Sequence, residues 1–336
     1  MIWSRADGCR VWDESGREYL DLSGGFGVAA LGHSNPKIRA ALAEQPVAHA
    51  LGDLAEAEVT VRLRERLGRP AKLGVTGEDA VEIALRTALL ATGKPGIVAF
   101  EGAYHGTGLL ALAPTGFARF REPFAPWLPG PVHRFAYGED PGPLPADAGC
   151  VIVEPVQGRG GARVPPAAFL ERLRKRCDEA GALLIADEIY CGLGRTGAMW
   201  RSGELADVLC TGKALGGGLP LSAALFRRGL EEVWGLGPED VYTHTHTGNP
   251  LACAAALVVL GEVPRLLERV REAGERFERA GWNGAGLMRA RPGDAEEALR
   301  RGVIVIPAGE DGSLISATPP LTISDVEIDE ALELIG

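Results

Sequence analysis

Short apolar runs that end abruptly in polar residues are the main pattern in this chain. Residues 182–186 are apolar and are followed by Asp187 and Glu188, and the apolar residues 208–210 lead into a turn that contains Lys213. Such runs are typical of the buried strands of a parallel sheet. Ligands of open α/β sheets bind beyond the carboxyl ends of the strands. We therefore expect Asp187 and Lys213 to lie in one crevice.

The same patterns predict further elements. Predicted strands cover residues 9–12, 17–22, 97–100, 150–154 and 222–226, and predicted helices cover 36–45, 53–67, 165–180 and 250–260, with another that ends near 92. We interpret residues 114–149, rich in proline and glycine, as a long surface excursion, and residues 264–335 as the helix, strand, strand and helix of a smaller α+β unit. This order predicts an α/β fold with a mostly parallel sheet covered by helices.

Composition narrows the class of protein. The chain has 336 residues, 46% of them hydrophobic, and a net charge of −10 without a basic run, which disfavours nucleic acid and anionic membranes as partners. Residues 1–14 lack the apolar core of a signal peptide, and the longest apolar run, residues 251–260, is too short to span a bilayer. The six cysteines are widely spaced and are expected to be reduced, so a cytoplasmic location is predicted.

The pair formed by Asp187 and Lys213 allows two interpretations. A buried lysine with glycines at 216–218 suits pyridoxal phosphate, which a lysine binds as a Schiff base while a carboxylate pairs with the pyridinium nitrogen. A structural ion pair is the plainer interpretation, and it is preferred on these two residues alone. Residues 192–197 fit the dinucleotide pattern GxGxxG, but their glycines come several residues after the predicted strand and no clear amphipathic helix follows.

Two further segments suit an anion or an aromatic ligand. Thr76 and Gly77 lead from a strand into a helix N-terminus, where free N–H groups favour phosphate; an ordinary N-cap threonine explains the same residues. Tyr104 and His105 follow a predicted strand, and the tyrosine suits stacking on an aromatic ligand or closure of the core. Both interpretations of each segment stay open at this point.

A metal site is not predicted. His244 and His246 would share one face of a strand, but zinc needs three or four protein ligands and no third ligand is evident nearby.

Eight segments, in order along the chain, carry a resemblance to one enzyme family. They read YLDLSGGFGVAALGHSNP, TGEDAVEIAL, FEGAYHG, VIVEPVQG, LLIADEIYCGLGRTG, TGKALGGGLPL, THTGNPLACAAAL and TPPLTIS. Over nearly its whole length the chain resembles the class III (ω-type) aminotransferases of fold type I, which depend on pyridoxal phosphate. The resemblance implies a large cofactor-binding domain of residues 46–261 and a small α+β domain made from residues 1–45 and 262–336.

The resemblance also implies roles for the site residues. Lys213 matches the Schiff-base lysine, and Asp187 matches the aspartate that keeps the pyridine nitrogen protonated. Ile189 matches the aliphatic residue beneath the ring, and Tyr104 the aromatic residue above it. The other expected cofactor contacts are Thr76, Gly77 and Glu78 at the phosphate, His105, Glu154 and Tyr190 beside the cofactor, and Thr245, which would reach the phosphate of a neighbouring subunit. A homodimer with a shared active site is therefore expected.

Departures from the family pattern bear on the substrate. Thr107 stands where relatives that act on 4-aminobutyrate carry an arginine, and Ser316 stands where an arginine commonly binds the α-carboxylate. Without these two arginines, tight binding of 4-aminobutyrate, ornithine and glutamate is disfavoured. The expected substrate pocket contains Phe26, Thr107 and Ser316. Four other arginines could bind the carboxylate instead, and the sequence does not choose among them: Arg119, Arg121, Arg159 and Arg163.

The function implied by the resemblance is transfer of an amino group from an ω-amine or amino acid to a keto acid, through an aldimine at Lys213. An aminomutase or decarboxylase on the same scaffold, a nicotinamide-dependent dehydrogenase and a non-catalytic relative are the alternatives. The presence of both Lys213 and Asp187 argues against a non-catalytic relative.

Overall fold

Fifteen strands form three sheets in the computed structural model, which describes residues 1–52, 54–235 and 241–336. The strands are β1 (Trp3–Asp7), β2 (Arg10–Asp13), β3 (Glu18–Asp21), β4 (Ala71–Gly74), β5 (Gly96–Phe100), β6 (Val132–Phe135), β7 (Ala148–Val153), β8 (Leu183–Asp187), β9 (Val208–Thr211), β10 (Ser222–Phe226), β11 (Asn283–Ala285), β12 (Met288–Pro292), β13 (Val303–Ile304), β14 (Ile306–Ala308) and β15 (Leu314–Ala317).

The central sheet has seven strands in the order β4-β10-β9-β8-β7-β5-β6. Strand β10 runs antiparallel to both of its neighbours, and all the other pairs are parallel. Every residue of β5, β7, β9 and β10 is buried, as expected for strands that are covered on both faces. The predicted α/β fold with a mostly parallel sheet is therefore confirmed.

Eleven α-helical segments accompany the sheets in the described part of the chain. They are α1 (Gly24–Gly27), α2 (Pro36–Glu44), α3 (Glu58–Leu67), α4 (Gly77–Thr92), α5 (Leu109–Leu112), α6 (Ala118–Arg121), α7 (Phe169–Ala180), α8 (Pro250–Glu262), α9 (Leu267–Arg279), α10 (Ala295–Arg300) and α11 (Asp325–Ile335). Helix α4 contacts β4, β7, β8, β9 and β10, while α7 contacts β7 and β8. No single described helix is long and apolar enough to cross a membrane; the pair 250–265 and 267–279 passes only in combination and is bent by 67°.

The two ends of the chain meet in a small sheet of order β1-β2-β3-β13, in which β13 pairs in parallel with β3. A third sheet has the order β11-β12-β15-β14. The C-terminal segment thus contains five strands where the sequence predicts two, because β11, β13 and β14 have only two or three residues each. The division into domains of 46–261 and of 1–45 with 262–336 stays a prediction.

Three predicted segments differ in the structure. The excursion at 114–149 contains β6, which pairs with β5 at the edge of the central sheet. The helix predicted from residue 53 begins at Glu58, because the backbone of Ala57 before it is extended, with φ −75° and ψ 149°; Asp53 itself lies outside the described residues. The helix predicted from residue 165 begins at Phe169, because Ala168 has a left-handed φ of 60° and ends any helix there.

The carboxyl ends of the parallel strands β5, β7, β8 and β9 lie along one edge of the central sheet. Asp187 is the last residue of β8, and Tyr104, Glu154 and Lys213 lie in the segments that follow β5, β7 and β9. The topology therefore brings these four side chains to one crevice.

Candidate active site

Asp187 is the last residue of β8, and its carboxylate is buried beside a histidine. Its Oδ2 lies 2.7 Å from Nδ1 of His105, and its Oδ1 accepts a hydrogen bond from the Ile189 N–H at 3.2 Å. His105 is 2% exposed, and its other ring nitrogen, Nε2, has no hydrogen-bond partner among the described residues. Asp187 therefore pairs with His105, and the structural ion pair with Lys213 is not formed.

Lys213 follows β9 in a strained turn. Its φ is 41°, in the left-handed region, while the preceding Gly212 is extended. The amine lies 4.2 Å from the centroid of the Tyr190 ring. Burial lowers the pKa of Lys213, and the charges of Asp187 and Glu154 oppose that shift. A lysine with a lowered pKa has a larger neutral fraction and acts more readily as a nucleophile or a base.

Glu154 holds two backbone segments together at the end of β7. Its Oε1 accepts from the Tyr104 N–H at 2.7 Å and its Oε2 accepts from the Gly158 N–H at 3.1 Å. Burial raises the pKa of Glu154 to about 7, against the lowering influence of His105. Glu154 therefore shares the interior of the site with Asp187 without being held firmly in its charged form.

The N-terminus of α4 provides free backbone donors. Thr76 is the N-cap, and the carboxylate of Asp79 accepts from the N–H groups of Val75 and Thr76, both at 2.8 Å. In the described residues, the N–H groups of Gly77 and Glu78 have no protein acceptor. Such donors at a helix N-terminus favour a phosphate group.

Gly77 also lies in tight contact with Ile189, two residues after Asp187. A Cβ atom built on Gly77 would lie 2.9 Å from Cγ2 of Ile189. Glycine at this position thus lets the start of α4 approach the floor of the site closely.

These residues surround a cavity of about 280 Å³. Its lining consists of Thr76, Gly77, Glu78, Tyr104, His105, Gly106, Glu154, Arg159, Asp187, Ile189, Tyr190 and Lys213. The structure therefore brings together ten of the residues that the resemblance assigned to the cofactor.

A second cavity, of about 40 Å³, adjoins the first. Both cavities share Tyr104, Arg159, Tyr190 and Lys213, and the second one adds Phe26 and Ser316 of the expected substrate pocket. The hydroxyl of Tyr190 is 3.0 Å from Oγ1 of Thr318, which fixes its ring between the two cavities.

Two expected residues do not line these cavities. Thr107 is exposed, and its N–H and hydroxyl both contact Oε2 of Glu78, at 3.0 and 3.3 Å. Thr245 is exposed on the loop before α8. In a single chain, neither residue reaches the site.

The alternative sites of the sequence analysis gain no support. In the part of the chain that the structure describes, no group of three or more His, Cys, Asp or Glu side chains could hold a metal ion. Residues 192–197 lead through turns to β9 without the helix that a dinucleotide motif requires.

Sequence reasoning missed part of the lining. Gly106 and the strand β14 contribute to the cavities without having been predicted to do so. Arg159 also lines both cavities, and the sequence names it only as one of four candidates for binding the substrate carboxylate. Residues 157–161 follow a predicted strand and contain three glycines, which was the sequence signal that this loop approaches a ligand.

The residues present fit pyridoxal phosphate. The unsatisfied N–H groups of Gly77 and Glu78 suit its phosphate, and the carboxylate of Asp187, held by His105, suits its ring nitrogen. Ile189 and Tyr104 lie on the lining of the same cavity, as a flat ring between them requires.

Comparisons with known proteins agree with this fit. Residues 1–280 match the family Aminotransferase class-III. The chain is 37% identical to the acetylornithine aminotransferase of Methanopyrus kandleri, over 97% of this chain and 91% of that protein. It is 34% identical to the 4-aminobutyrate aminotransferase GabT of Escherichia coli, over 99% of this chain and 92% of that protein.

Solved structures of transaminases have the same fold. An ornithine aminotransferase from Toxoplasma gondii matches with a TM-score of 0.91 and 28% identity, over 99% of this chain and 89% of that one. An amine transaminase from an uncultivated Pseudomonas species, in its pyridoxal-phosphate-bound form, matches with a TM-score of 0.90 and 29% identity, over 100% of this chain and 93% of that one. The fold, the site and these relatives agree: this chain belongs to the class III aminotransferases and is a pyridoxal-phosphate-dependent aminotransferase.

Proposed function

We propose that Lys213 is the residue that binds pyridoxal phosphate covalently and that Asp187 pairs with its ring nitrogen, in the transfer of an amino group from an ω-amine or amino acid to a keto acid. The observation that carries this assignment is the single cavity of about 280 Å³ that both residues line together with the free N–H groups at the start of α4.

When bound, pyridoxal phosphate withdraws electrons from the substrate carbon that carries the amino group. The proposed task of Asp187 is to keep the ring nitrogen protonated, and its contact with His105 holds the carboxylate in place for that task. The proposed task of Lys213 is to move a proton at the substrate carbon, since burial has lowered its pKa toward the working range of a general base.

The remaining side chains position the reactants. Gly77 and Glu78 offer backbone N–H groups to the phosphate, and the dipole of α4 adds to that attraction. Ile189 and Tyr104 would hold the ring from its two sides, and Phe120 supports Tyr104 through an edge contact with ring centroids 5.6 Å apart.

An aminomutase or a decarboxylase would use the same lysine and aspartate. The relatives reported above are named as aminotransferases, which favours amino transfer to a second substrate. Product analysis without an added keto acid distinguishes these reactions, because a mutase or decarboxylase turns over under that condition.

Substrate preference follows from Thr107 and Ser316. Thr107 contacts Glu78 but lines neither cavity, and Ser316 offers a hydroxyl where the family pattern has a guanidinium. We expect poor use of 4-aminobutyrate and 2-oxoglutarate and better use of pyruvate, because a second carboxylate lacks a paired cation.

The working unit is proposed to be a homodimer in the cytoplasm, with Thr245 of each subunit at the phosphate of the other. Thr245 is exposed in the single chain, as a residue that serves a neighbour must be. Exposed apolar residues at Val47, Leu51 and Leu54 suit a buried subunit interface.

A panel of amine donors and keto acceptors, measured on the cofactor-loaded protein, tests this function. We expect amino transfer to pyruvate to exceed transfer to 2-oxoglutarate in kcat/KM. A clear preference for 2-oxoglutarate would contradict the interpretation of Thr107 and Ser316, and absence of any amino transfer would contradict the assignment of the site.

A further inference from the structure

Arg159 lies on a loop whose backbone is fixed from two sides. The neighbouring Gly158 donates its N–H to Glu154 at 3.1 Å, and the carbonyl of Arg159 accepts from the Gly309 N–H at 3.0 Å. The loop is thus tied both to the end of β7 and to the segment after β14. These contacts set the direction from which the Arg159 side chain enters the site.

The guanidinium of Arg159 has aromatic neighbours and no carboxylate partner. Its Cζ lies 5.0 Å from the ring centroids of both Tyr104 and Phe120. Its Nε is shielded from solvent without a hydrogen-bond partner, and no described carboxylate lies within ion-pair distance of it. A half-buried guanidinium of this kind gains most from an anion that completes its hydrogen bonds.

The three other arginines that could substitute for the arginines absent at positions 107 and 316 have contacts elsewhere. Arg119 donates to the carbonyl of Glu310, and Arg121 donates to the carbonyl of Gly116. Arg163 is exposed, and its Cζ lies 5.3 Å from the ring centroid of Tyr137. None of the three lines either cavity of the site.

The smaller cavity presents a second unsatisfied group next to Arg159. Ser316 is 3% exposed, and its Oγ has no hydrogen-bond partner among the described residues. Phe26 and Ile306 supply apolar walls, and Lys213 lies at the boundary with the larger cavity. Arg159 supplies the guanidinium on this lining, and Lys213 is the residue proposed to bind the cofactor.

We infer that Arg159 and Ser316 bind the carboxylate of the substrate, so that a guanidinium on the loop after β7 takes over from the arginine that relatives carry at position 316. This inference rests on the proposed function and names its substrate class. One fixed cation and an apolar cavity of about 40 Å³ select short monocarboxylic keto acids and the corresponding amino acids over dicarboxylic ones.

The test compares two acceptors of similar size, pyruvate with a carboxylate and propanal without one, on the cofactor-loaded protein. Arg159→Gln should lower kcat/KM for pyruvate by about 10- to 100-fold, the loss expected for a charge-assisted hydrogen bond, and leave that for propanal unchanged. Arg159→Lys should restore part of the pyruvate activity, since it keeps the charge without the planar fork. Ser316→Ala should cause a smaller loss that is again confined to pyruvate.

Arg119→Gln is the matched control. Arg119 also lies over the Phe120 ring, with its Cζ 5.1 Å from the centroid, but it is exposed and outside both cavities. Its substitution should leave both acceptors unchanged. Equal losses for pyruvate and propanal in Arg159→Gln, or no loss for either, would overturn the inference.

Binding of propanoate, measured by calorimetry, separates this inference from the proposed function. The wild-type protein should bind propanoate at least about 10-fold more tightly than Arg159→Gln, whether or not any acceptor is turned over. Equal binding by the two proteins would overturn the assignment of Arg159 even in an active aminotransferase.

Discussion

At the scale of single residues, the contact between Asp187 and His105 is the one on which the proposed chemistry most depends. The backbone N–H of His105 donates to Oγ1 of Thr115 at 3.0 Å, which fixes the main chain, and burial of the side chain restricts rotation of the ring. A carboxylate fixed in this way is preorganised toward the ring nitrogen of the cofactor.

Asp187→Asn should therefore lower kcat by roughly 10²- to 10³-fold or more, the range seen when one preorganised electrostatic group is removed. A neutral amide cannot hold the ring nitrogen protonated. Steady-state kinetics and a thermal melt would show lost turnover in a folded protein. Asp147→Asn is the control, because Asp147 forms a similar contact with His133, at 3.0 Å, away from the site. Activity near that of the wild type in Asp187→Asn would remove Asp187 from the proposed mechanism.

Glu154 gives the site a pH-dependent stability. Its folded-state pKa is raised from 4.5 to about 7 by burial, so the neutral form favours folding. That contribution is fully present below pH 4.5 and is lost as the pH rises through 7, and it amounts to ~3 kcal/mol at 1.36 kcal/mol for each pKa unit.

The unfolding free energy of the wild type should therefore fall relative to that of Glu154→Gln as the pH rises, by most of that ~3 kcal/mol between pH 5 and pH 8. Urea denaturation of the cofactor-free protein at the two pH values measures this change. Glu101→Gln, which removes an exposed carboxylate next to the same site, should show no such trend. Parallel pH profiles for wild type and Glu154→Gln would contradict the assignment.

Lys213 and Asp187 could be predicted from the sequence, because each lies at or near the carboxyl end of a buried strand and these ends converge in a parallel sheet. Arg159 could only be named as one candidate in four. Its direction depends on the contact with Gly309, which is far away in the chain and belongs to the C-terminal segment. Local sequence patterns do not contain such contacts.

At the scale of elements, the start of α4 forms the proposed phosphate site. Thr76 caps the helix and Asp79 completes the capping box, while the N–H groups of Gly77 and Glu78 have no acceptor among the described residues. The close approach of Gly77 to Ile189 joins this helix to the segment after β8.

Gly77→Ala should weaken binding of pyridoxal phosphate by roughly 5- to 150-fold, because overpacking of a fitted contact costs about 1–3 kcal/mol. The added Cβ would displace Ile189 from beneath the ring. A titration followed by cofactor absorbance gives the dissociation constant. Gly261→Ala is the control, since a Cβ built there meets nothing within 4 Å. Unchanged affinity in Gly77→Ala would show that α4 does not form the phosphate site.

Strand β6 shows what the pattern of apolar positions could not predict. Its four residues, VHRF, lie at the edge of the central sheet and are only partly buried, so they carry no apolar run. Pairing with β5, rather than local composition, makes this segment a strand.

At the scale of the whole molecule, a groove between α2, α3 and α8 suits the proposed subunit interface. It has a volume of about 540 Å³, and its lining combines apolar residues with charged ones, among them Ala41, Val47, Leu257, Val258, Glu44, Glu58 and Arg62. Exposed apolar area of this kind is typical of a surface that a partner covers.

We expect the protein to have twice the mass of one chain in light scattering after gel filtration. Leu257→Glu should give a monomer with weakened cofactor binding, because a buried interface does not accommodate an unpaired charge. Val326→Glu, at a residue that is 74% exposed on α11, should leave the dimer intact. A wild-type monomer that binds the cofactor normally would contradict the shared site.

The proposed mechanism depends most on covalent attachment of the cofactor to Lys213, which peptide mapping of the reduced protein can locate. The protein is loaded with pyridoxal phosphate, reduced with borohydride, digested and mapped by mass spectrometry. We expect a modified peptide that carries the label on Lys213, in the segment TGKALGGG. A label on Lys72, Lys94 or any other lysine, or no stable label at all, would contradict it.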